Sequence, residues 1–291
     1  MSIAITTPTG HIGSHLVSLL LAQGADLTLL VRHPEKLADD VRSRVNVQQG
    51  ELQDREFVLR ATEGAEQLFW LAPPNYGAPD AQSYYQNLGA TAAQAVEKNR
   101  IRRAVFISSG GGGDQNAGLI SHLFHIENML NATDADVLSL RCGFFMENFF
   151  SFVPTLRQQG AFYSLNRPDL PLPMVATADI AAVAARKLLD PNWSGKQILA
   201  VHGAADITPE EAARILTETA GKPIHYVQIP PEPFAQSFSA MGASPDITDN
   251  FVKMMQAFDR GIYAAEPRTP ETTTSTTLAE WSARELLPML I

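Results

Sequence analysis

The opening β–turn–α unit constrains this chain more than any other feature. Ser2–Thr6 (SIAIT) is a short β-branched run, and His11–Gln23 puts Ile12, Leu16, Leu19 and Leu20 on one helical face. Between them the turn Thr7-Pro8-Thr9-Gly10-His11-Ile12-Gly13 carries two glycines. A strand that runs through such a turn into a helix starts a parallel sheet, because the helix must cross back over the sheet before the next strand. The alternation continues. Asp26–Val31, Val45–Gln48, Gln67–Ala72, Arg103–Ser108 and Val137–Leu140 read as strands, and Ala81–Lys98 and Leu119–Asn131 as helices. The strands are apolar almost throughout, which suits a sheet covered on both faces. The expected fold class is α/β, with a doubly wound parallel sheet.

After Phe150 the rhythm changes. Asp179–Leu189 reads as an amphipathic helix and Gln197–Val201 as a strand. Thr208–Ala220 opens on Thr208, Pro209 and Glu211, the spacing of a capping box. Ile224–Ile229 reads as a strand, and Pro233–Gly242, Asp246–Asp259 and Leu278–Leu287 as helices. The expected division is a Rossmann-type domain over 1–150, rejoined by elements of 172–205. Residues 151–171 and 206–291 are expected to form a small, mostly helical C-terminal substrate lobe.

In a sheet of this kind ligands bind beyond the C-terminal strand ends. Those ends carry TPTGHIG, LAPPNYG, SSGGGG and RCGFFMEN. In the first, Gly10 lets backbone approach a pyrophosphate and Gly13 lets the helix pack close to the strand. The helix N-terminus offers free N–H groups and a partial positive charge. Thr7 stands where a G-x-x-G-x-x-G pattern has its first glycine. The competing reading is a glycine turn with no ligand. The second strand ends Leu30-Val31-Arg32-His33-Pro34-Glu35-Lys36. An NAD-preferring site presents a carboxylate at that strand end, whereas Arg32 offers a guanidinium that matches a 2′-phosphate in charge and geometry. NADP(H) is therefore the preferred cofactor. NAD(H) stays open, because Glu35 could hold a ribose from the next turn and Arg32 could be a solvated surface charge.

The formal net charge of −9 argues against nucleic acid and anionic membrane as partners, though not against a small phosphorylated ligand. Cys142 is the one cysteine, so no intrachain disulfide forms, which suits a reducing cytoplasm. The start MSIAITTPTG lacks a basic stretch followed by an apolar core, so secretion is not expected. The most apolar stretch, Gly143 to Leu156, is interrupted by Glu147, Asn148 and Pro154 and reads as buried protein rather than a membrane span.

The segments TPTGHIG, VRHPEKL, SLRCGFFMEN, ATADIAAVAARKLLD and TPETTTSTTLAEW, in this order and spacing, resemble the NmrA-like family of atypical short-chain dehydrogenases/reductases. The resemblance runs from about residue 3 to 287. It implies NAD(P)H lying across the strand ends, with Thr9, Gly10, His11, Ile12 and Gly13 at the pyrophosphate and Arg32 at the adenosine phosphate. It implies Gly50 and Glu51 near the adenine, and Leu71, Ala72 and Pro73 along the ribose. Ser108 and Ser109 would sit near the nicotinamide. Gly143, Phe144, Phe145 and Asn148 would bracket the ring and the substrate mouth.

Dehydrogenases of the wider superfamily carry Tyr-x-x-x-Lys on the helix after the fifth strand. Counting back from Glu127, those places fall at Leu119 and Leu123, and no Tyr or Lys lies between Gly110 and Arg141. His122 and His125 on the same helix could donate a proton. They could also be partly exposed helix residues. No third ligand accompanies them, so no metal site is expected. Tyr76, Tyr84, Tyr85, Phe144, Phe145, Phe149, Phe150 and Phe152 could wall a site for a flat substrate, although part of this set must be core. The expected function is an NADPH-dependent reductase that passes hydride to a small conjugated acceptor such as a quinone or another carbonyl compound. The alternative is a non-catalytic, NADP(H)-sensing regulatory protein. A homo-oligomer and a regulatory protein partner both stay open.

Overall fold

The computed structural model describes residues 1–291. Seven strands form one parallel sheet: β1 (Ser2–Thr6), β2 (Asp26–Val31), β3 (Asn46–Gln49), β4 (Gln67–Trp70), β5 (Arg103–Ser109), β6 (Asp136–Cys142) and, after two short lobe strands, β9 (Lys196–Val201). Their spatial order is β3-β2-β1-β4-β5-β6-β9. The chain winds outward from β1 in one direction and then returns to β4 on the other side. Helices cover both faces. The helices α1 (His11–Ala22) and α7 (Thr177–Leu189) pack together on one face. The short α2 (Asp39–Arg42) leads into β3, and α3 (Arg55–Ala61), α4 (Ala81–Lys98) and α5 (Leu119–Asn131) cover the opposite face.

Strand periodicity explains the two cores. In β4, Leu68 and Trp70 point into the layer under α3, α4 and α5, while Phe69 joins Ile3, Ile5, Leu16 and Leu20 beneath α1 and α7. All of these are fully buried, worth roughly 1.5–3 kcal/mol each for a large aliphatic side chain.

A third core lies mainly in the C-terminal lobe and also takes in Ala117, Ile120 and Phe124 at the start of α5. It contains α6 (Val153–Gln159), β7 (Ala161–Ser164), β8 (Leu172–Pro173), β10 (Asp206–Ile207), α8 (Pro209–Ala220), β11 (His225–Gln228), α9 (Pro231–Ala240) and α10 (Pro245–Asp259). The strands β7 and β11 pair in parallel, so the lobe is not purely helical. Thr208 and Glu211 form the capping box their spacing indicated, with each side chain bonded to the other's backbone N–H at 3.1 Å. The last helix is split. α11 (Leu278–Trp281) passes through a π-helical turn at Ser282–Leu286 into α12 (Leu287–Leu290). Pro288 causes this, because its ring clashes with the carbonyl four residues back and it has no N–H to offer.

Candidate functional site

The crevice lies where the winding reverses, between the ends of β1 and β4. Thr6 fastens those ends: its Oγ1 accepts the Leu71 N–H at 2.9 Å and donates toward the Phe69 carbonyl at 3.3 Å. The turn after β1 is shaped by its two glycines for different reasons. A Cβ on Gly13 would stand 2.1 Å from the Thr7 carbonyl oxygen and 2.9 Å from Pro8 Cα, so only glycine lets α1 approach β1. A Cβ on Gly10 would meet only Thr7 O, at an ordinary 3.4 Å. Packing therefore does not require glycine at position 10. A bare Gly10 leaves the space in front of the turn open.

That space is lined with unsatisfied hydrogen-bonding groups. The N–H groups of His11, Ile12 and Gly13 have no acceptor in the protein, and no side chain caps α1. Thr7 has φ 51°, in the left-handed region that a β-branched residue enters at a cost of about 1–2 kcal/mol. Thus the threonine in the first-glycine place takes up a glycine's backbone shape. Its Oγ1 is buried without a partner, and so is Ser108 Oγ at the end of β5. Buried hydroxyls are normally paired. An anion at the α1 N-terminus, continued by a polar group over the strand ends, would supply what these groups lack. The residues fit a dinucleotide.

At one end of the crevice, Arg32 is exposed after β2, with its Nε 4.0 Å from Glu51 Oε2. An exposed pair at that distance holds the guanidinium weakly. Gly50 extends the β2–β3 pairing by donating to the Val31 carbonyl, and its missing Cβ leaves room for the Phe57 ring. Tyr84 stands at this end, near Arg32 and Glu51, rather than in the substrate wall. Its hydroxyl donates to the Pro73 carbonyl at 2.8 Å, and burial pushes its pKa up to about 12. Leu71, Ala72 and Pro73 link this end to the next.

The opposite end is closed by the lobe. Tyr263, from the turn after α10, packs on Gly110 so tightly that a Cβ there would lie 2.6 Å from its ring. It stacks on Phe258 at 5.1 Å, and Phe258 meets Phe144 edge-on. Glu266 accepts the N–H groups of Gly111 and Gly112 at 2.8 and 3.0 Å and pairs with Arg141, which also holds Glu127. All three charged side chains of this network are at most 12% exposed. The glycine run Gly110–Gly112 is therefore a seat for residues 262–266. Sequence reasoning missed Tyr263, Glu266 and Arg141, because no local pattern joins residues this far apart.

The other sequence candidates have varied surroundings. Gly143 is required by packing, since a Cβ would stand 2.0 Å from the Pro173 carbonyl oxygen. Phe145 bridges to Val175, Asn148 is exposed, and Phe149 is lobe core among Phe152, Phe162 and Trp281. Glu147 accepts the Thr177 N–H at the start of α7 and the Trp281 indole N–H, a structural role. Tyr76 is exposed and meets Phe238 edge-on at 6.2 Å. His11 is exposed, with its ring 5.3 Å from that of Phe150, and Thr9 is exposed beside the turn.

His122 faces α4 and stacks on buried Tyr85 at 5.7 Å, while the His125 Nε2 meets Gln115 Oε1 at 2.8 Å. Burial and the neighbouring His125 lower the His122 pKa, with Asn250, Asp246 and Asp80 pulling the other way. Leu119 is buried and Leu123 packs against the core beneath α4. The two histidines belong to the α4–α5–α10 junction, and no cluster of three metal-binding side chains exists. No helix is long and apolar enough to cross a membrane. The Cys142 thiol is buried, and burial raises its pKa.

Comparison with known proteins places these features in a wider set. The family model described as the NmrA-like family matches residues 1–281. Quinone oxidoreductase 2 of Escherichia coli K12 is 24% identical over 85% of this chain and 84% of its own length. An NAD(P)H azoreductase of Xenophilus azovorans is 26% identical over the same shares. The crystal structure of the E. coli enzyme QOR2 with NADPH superimposes with a TM-score of 0.81 at 23% identity, covering 98% of this chain and 99% of the other. NmrA, a negative transcriptional regulator solved with NADP, gives a TM-score of 0.68 at 18% identity over 99% and 95% of the two chains.

Proposed function

We propose that this chain, which belongs to the NmrA-like family, is an NADPH-dependent reductase of small conjugated acceptors such as quinones or other carbonyl compounds. The observation that carries the reading is the open set of amides at His11, Ile12 and Gly13, with an exposed Arg32 only loosely paired to Glu51 at the adenosine end. Thr9, Gly10, His11, Ile12 and Gly13 would bind the pyrophosphate. Arg32 would take the 2′-phosphate, with Gly50 and Glu51 beside the adenine. Leu71, Ala72 and Pro73 would follow the ribose, and Thr7, Ser108, Ser109, Gly143 and Phe144 would frame the remaining cofactor surface. When bound, reduced cofactor supplies a hydride, so the protein needs no covalent nucleophile. Its own tasks are to orient the acceptor and keep water out. Tyr76 and Phe145, with Asn148 at the rim, would form the mouth.

The relatives named a quinone oxidoreductase and an azoreductase support the choice of acceptor class. The apolar residues Leu119 and Leu123 fit acceptors that stabilise their own added charge. The same two residues also favour a second reading, an NADP(H)-sensing regulator, to which the likeness to NmrA lends weight. Steady-state NADPH oxidation across a panel of quinones, azo dyes and enones separates the two. Turnover with at least one class supports the reductase. Tight NADPH binding with no turnover across the panel overturns it in favour of the sensor.

A further inference from the structure

We propose that Tyr263 is the acceptor-binding donor of this protein, a phenol delivered to the end of β5 by the C-terminal lobe. The proposal rests on the reductase reading and deepens it. The α5 helix offers only Leu119 and Leu123 at the places where a phenol and an ammonium would stand. Tyr263 brings a phenol to the same strand end from the other side. Its ring packs against Gly110 and stacks on Phe258, and the Ser109 side chain sits beside its hydroxyl.

The placement is held by several independent contacts. Gly110 leaves room for the ring, and Gly112 leaves room for Ala265, whose Cβ a side chain at 112 would meet at 2.6 Å. Glu266 staples the segment to the Gly111 and Gly112 amides and, through Arg141, to Glu127 on α5. A loosely docked turn would need none of these. The hydroxyl thus has a fixed position, which is what a donor must have to act on a developing charge.

The environment sets its role. Burial drives the Tyr263 pKa far above the ordinary phenol value, and Cys142 and Glu266 push it the same way, with Ser109 opposing. Tyr263 therefore stays neutral and keeps its proton. When a carbonyl or quinone takes a hydride from reduced nicotinamide, two electrons and one hydrogen arrive and the acceptor oxygen becomes anionic. Tyr263 holds that oxygen through a hydrogen bond, and water supplies the proton that neutralises it.

The test is Tyr263→Phe, which keeps the ring on Gly110 and removes only the hydroxyl. The protein loaded with NADP⁺, which allows no turnover, is titrated with 4-nitrophenolate and with nitrobenzene. A hydrogen bond to a charged oxygen is worth about 1.5–3 kcal/mol, so phenolate affinity should fall about tenfold or more while nitrobenzene affinity is unchanged. In quinone reduction the same variant should lose kcat at unchanged NADPH affinity. No phenolate binding by the wild type, equal phenolate binding by both proteins, or parallel loss of both aromatic probes would overturn the assignment. Failure of the wild type to oxidise NADPH with any acceptor sinks the reductase reading instead, and the phenolate titration still decides Tyr263.

Discussion

At the phosphate end of the crevice, the groups offered to a ligand are backbone amides of one β–α unit, and the residues that shape them lie between Thr6 and Gly13. At the proposed acceptor end, the tips of β5 and β6 are finished by Phe258, Tyr263 and Glu266, and Glu266 bonds to amides 154 and 155 positions earlier in the chain. The first end is made by backbone geometry and the second by tertiary docking. The difference teaches where variation is tolerated. At the phosphate end, Gly13 cannot change without losing the strand–helix contact. The acceptor end can be altered by changing the lobe while the sheet stays intact.

Substitutions can break that contrast. The largest effect is expected at Gly13→Ala, where the added Cβ meets backbone on two sides. No flexible side chain can yield, so α1 separates from β1 and soluble folded protein should be lost, as read by circular dichroism and solubility. Glu266→Ala should cost about 1–3 kcal/mol in urea unfolding, because it strips buried Arg141 of one of its two carboxylate partners. It should also leave the Gly111 and Gly112 N–H groups unpaired. The surviving folded protein should bind NADPH as before and reduce acceptors poorly. Weakened NADPH binding in that variant would show that the two ends are not independent. Gly10→Ala should fold and melt like the wild type yet bind NADPH about tenfold more weakly in calorimetry, a loss near 1.4 kcal/mol.

The smallest effect sharpens the acceptor side. His202, just beyond β9, is 2% exposed, and neither ring nitrogen has a partner. Burial lowers its pKa and Arg268 adds to this, against Asp206 and Glu266. The folded state thus binds its proton less readily than the unfolded state. The resulting stability is present above the unfolded value of about 6.5 and is lost as pH falls below it. His122 carries the same sign. The urea midpoint should drop between about pH 7.5 and about pH 5.5, and His202→Asn should flatten that drop. An equal drop in the variant would remove His202 as the cause.

The same contrast governs what the sequence revealed. The order of strands and helices in the sheet was legible because each element carries its own periodicity, and Gly10, Gly13 and Arg32 stand at fixed offsets from strand ends. The helix α3 was overlooked although Asp54 caps it and Phe57, Val58 and Ala61 share a buried side, because a pattern of about two turns is too brief to separate from a loop. The strand β7 was overlooked because its four residues become a strand only by pairing with β11, more than sixty positions later. The run SSGGGG read as a ligand-facing loop. Glycine at a strand end signals close approach, but it does not say whether a ligand or another part of the chain approaches. Here Tyr263, Ala265 and Glu266 do.

The most direct measurement is calorimetric titration of NADPH and NADH into the wild type and Arg32→Ala. The expected result is tighter binding of NADPH than NADH by the wild type, with the preference reduced about tenfold in the variant and NADH affinity unchanged. Absence of heat from both nucleotides at millimolar concentration would contradict the assignment of the β1–α1 turn as a dinucleotide site.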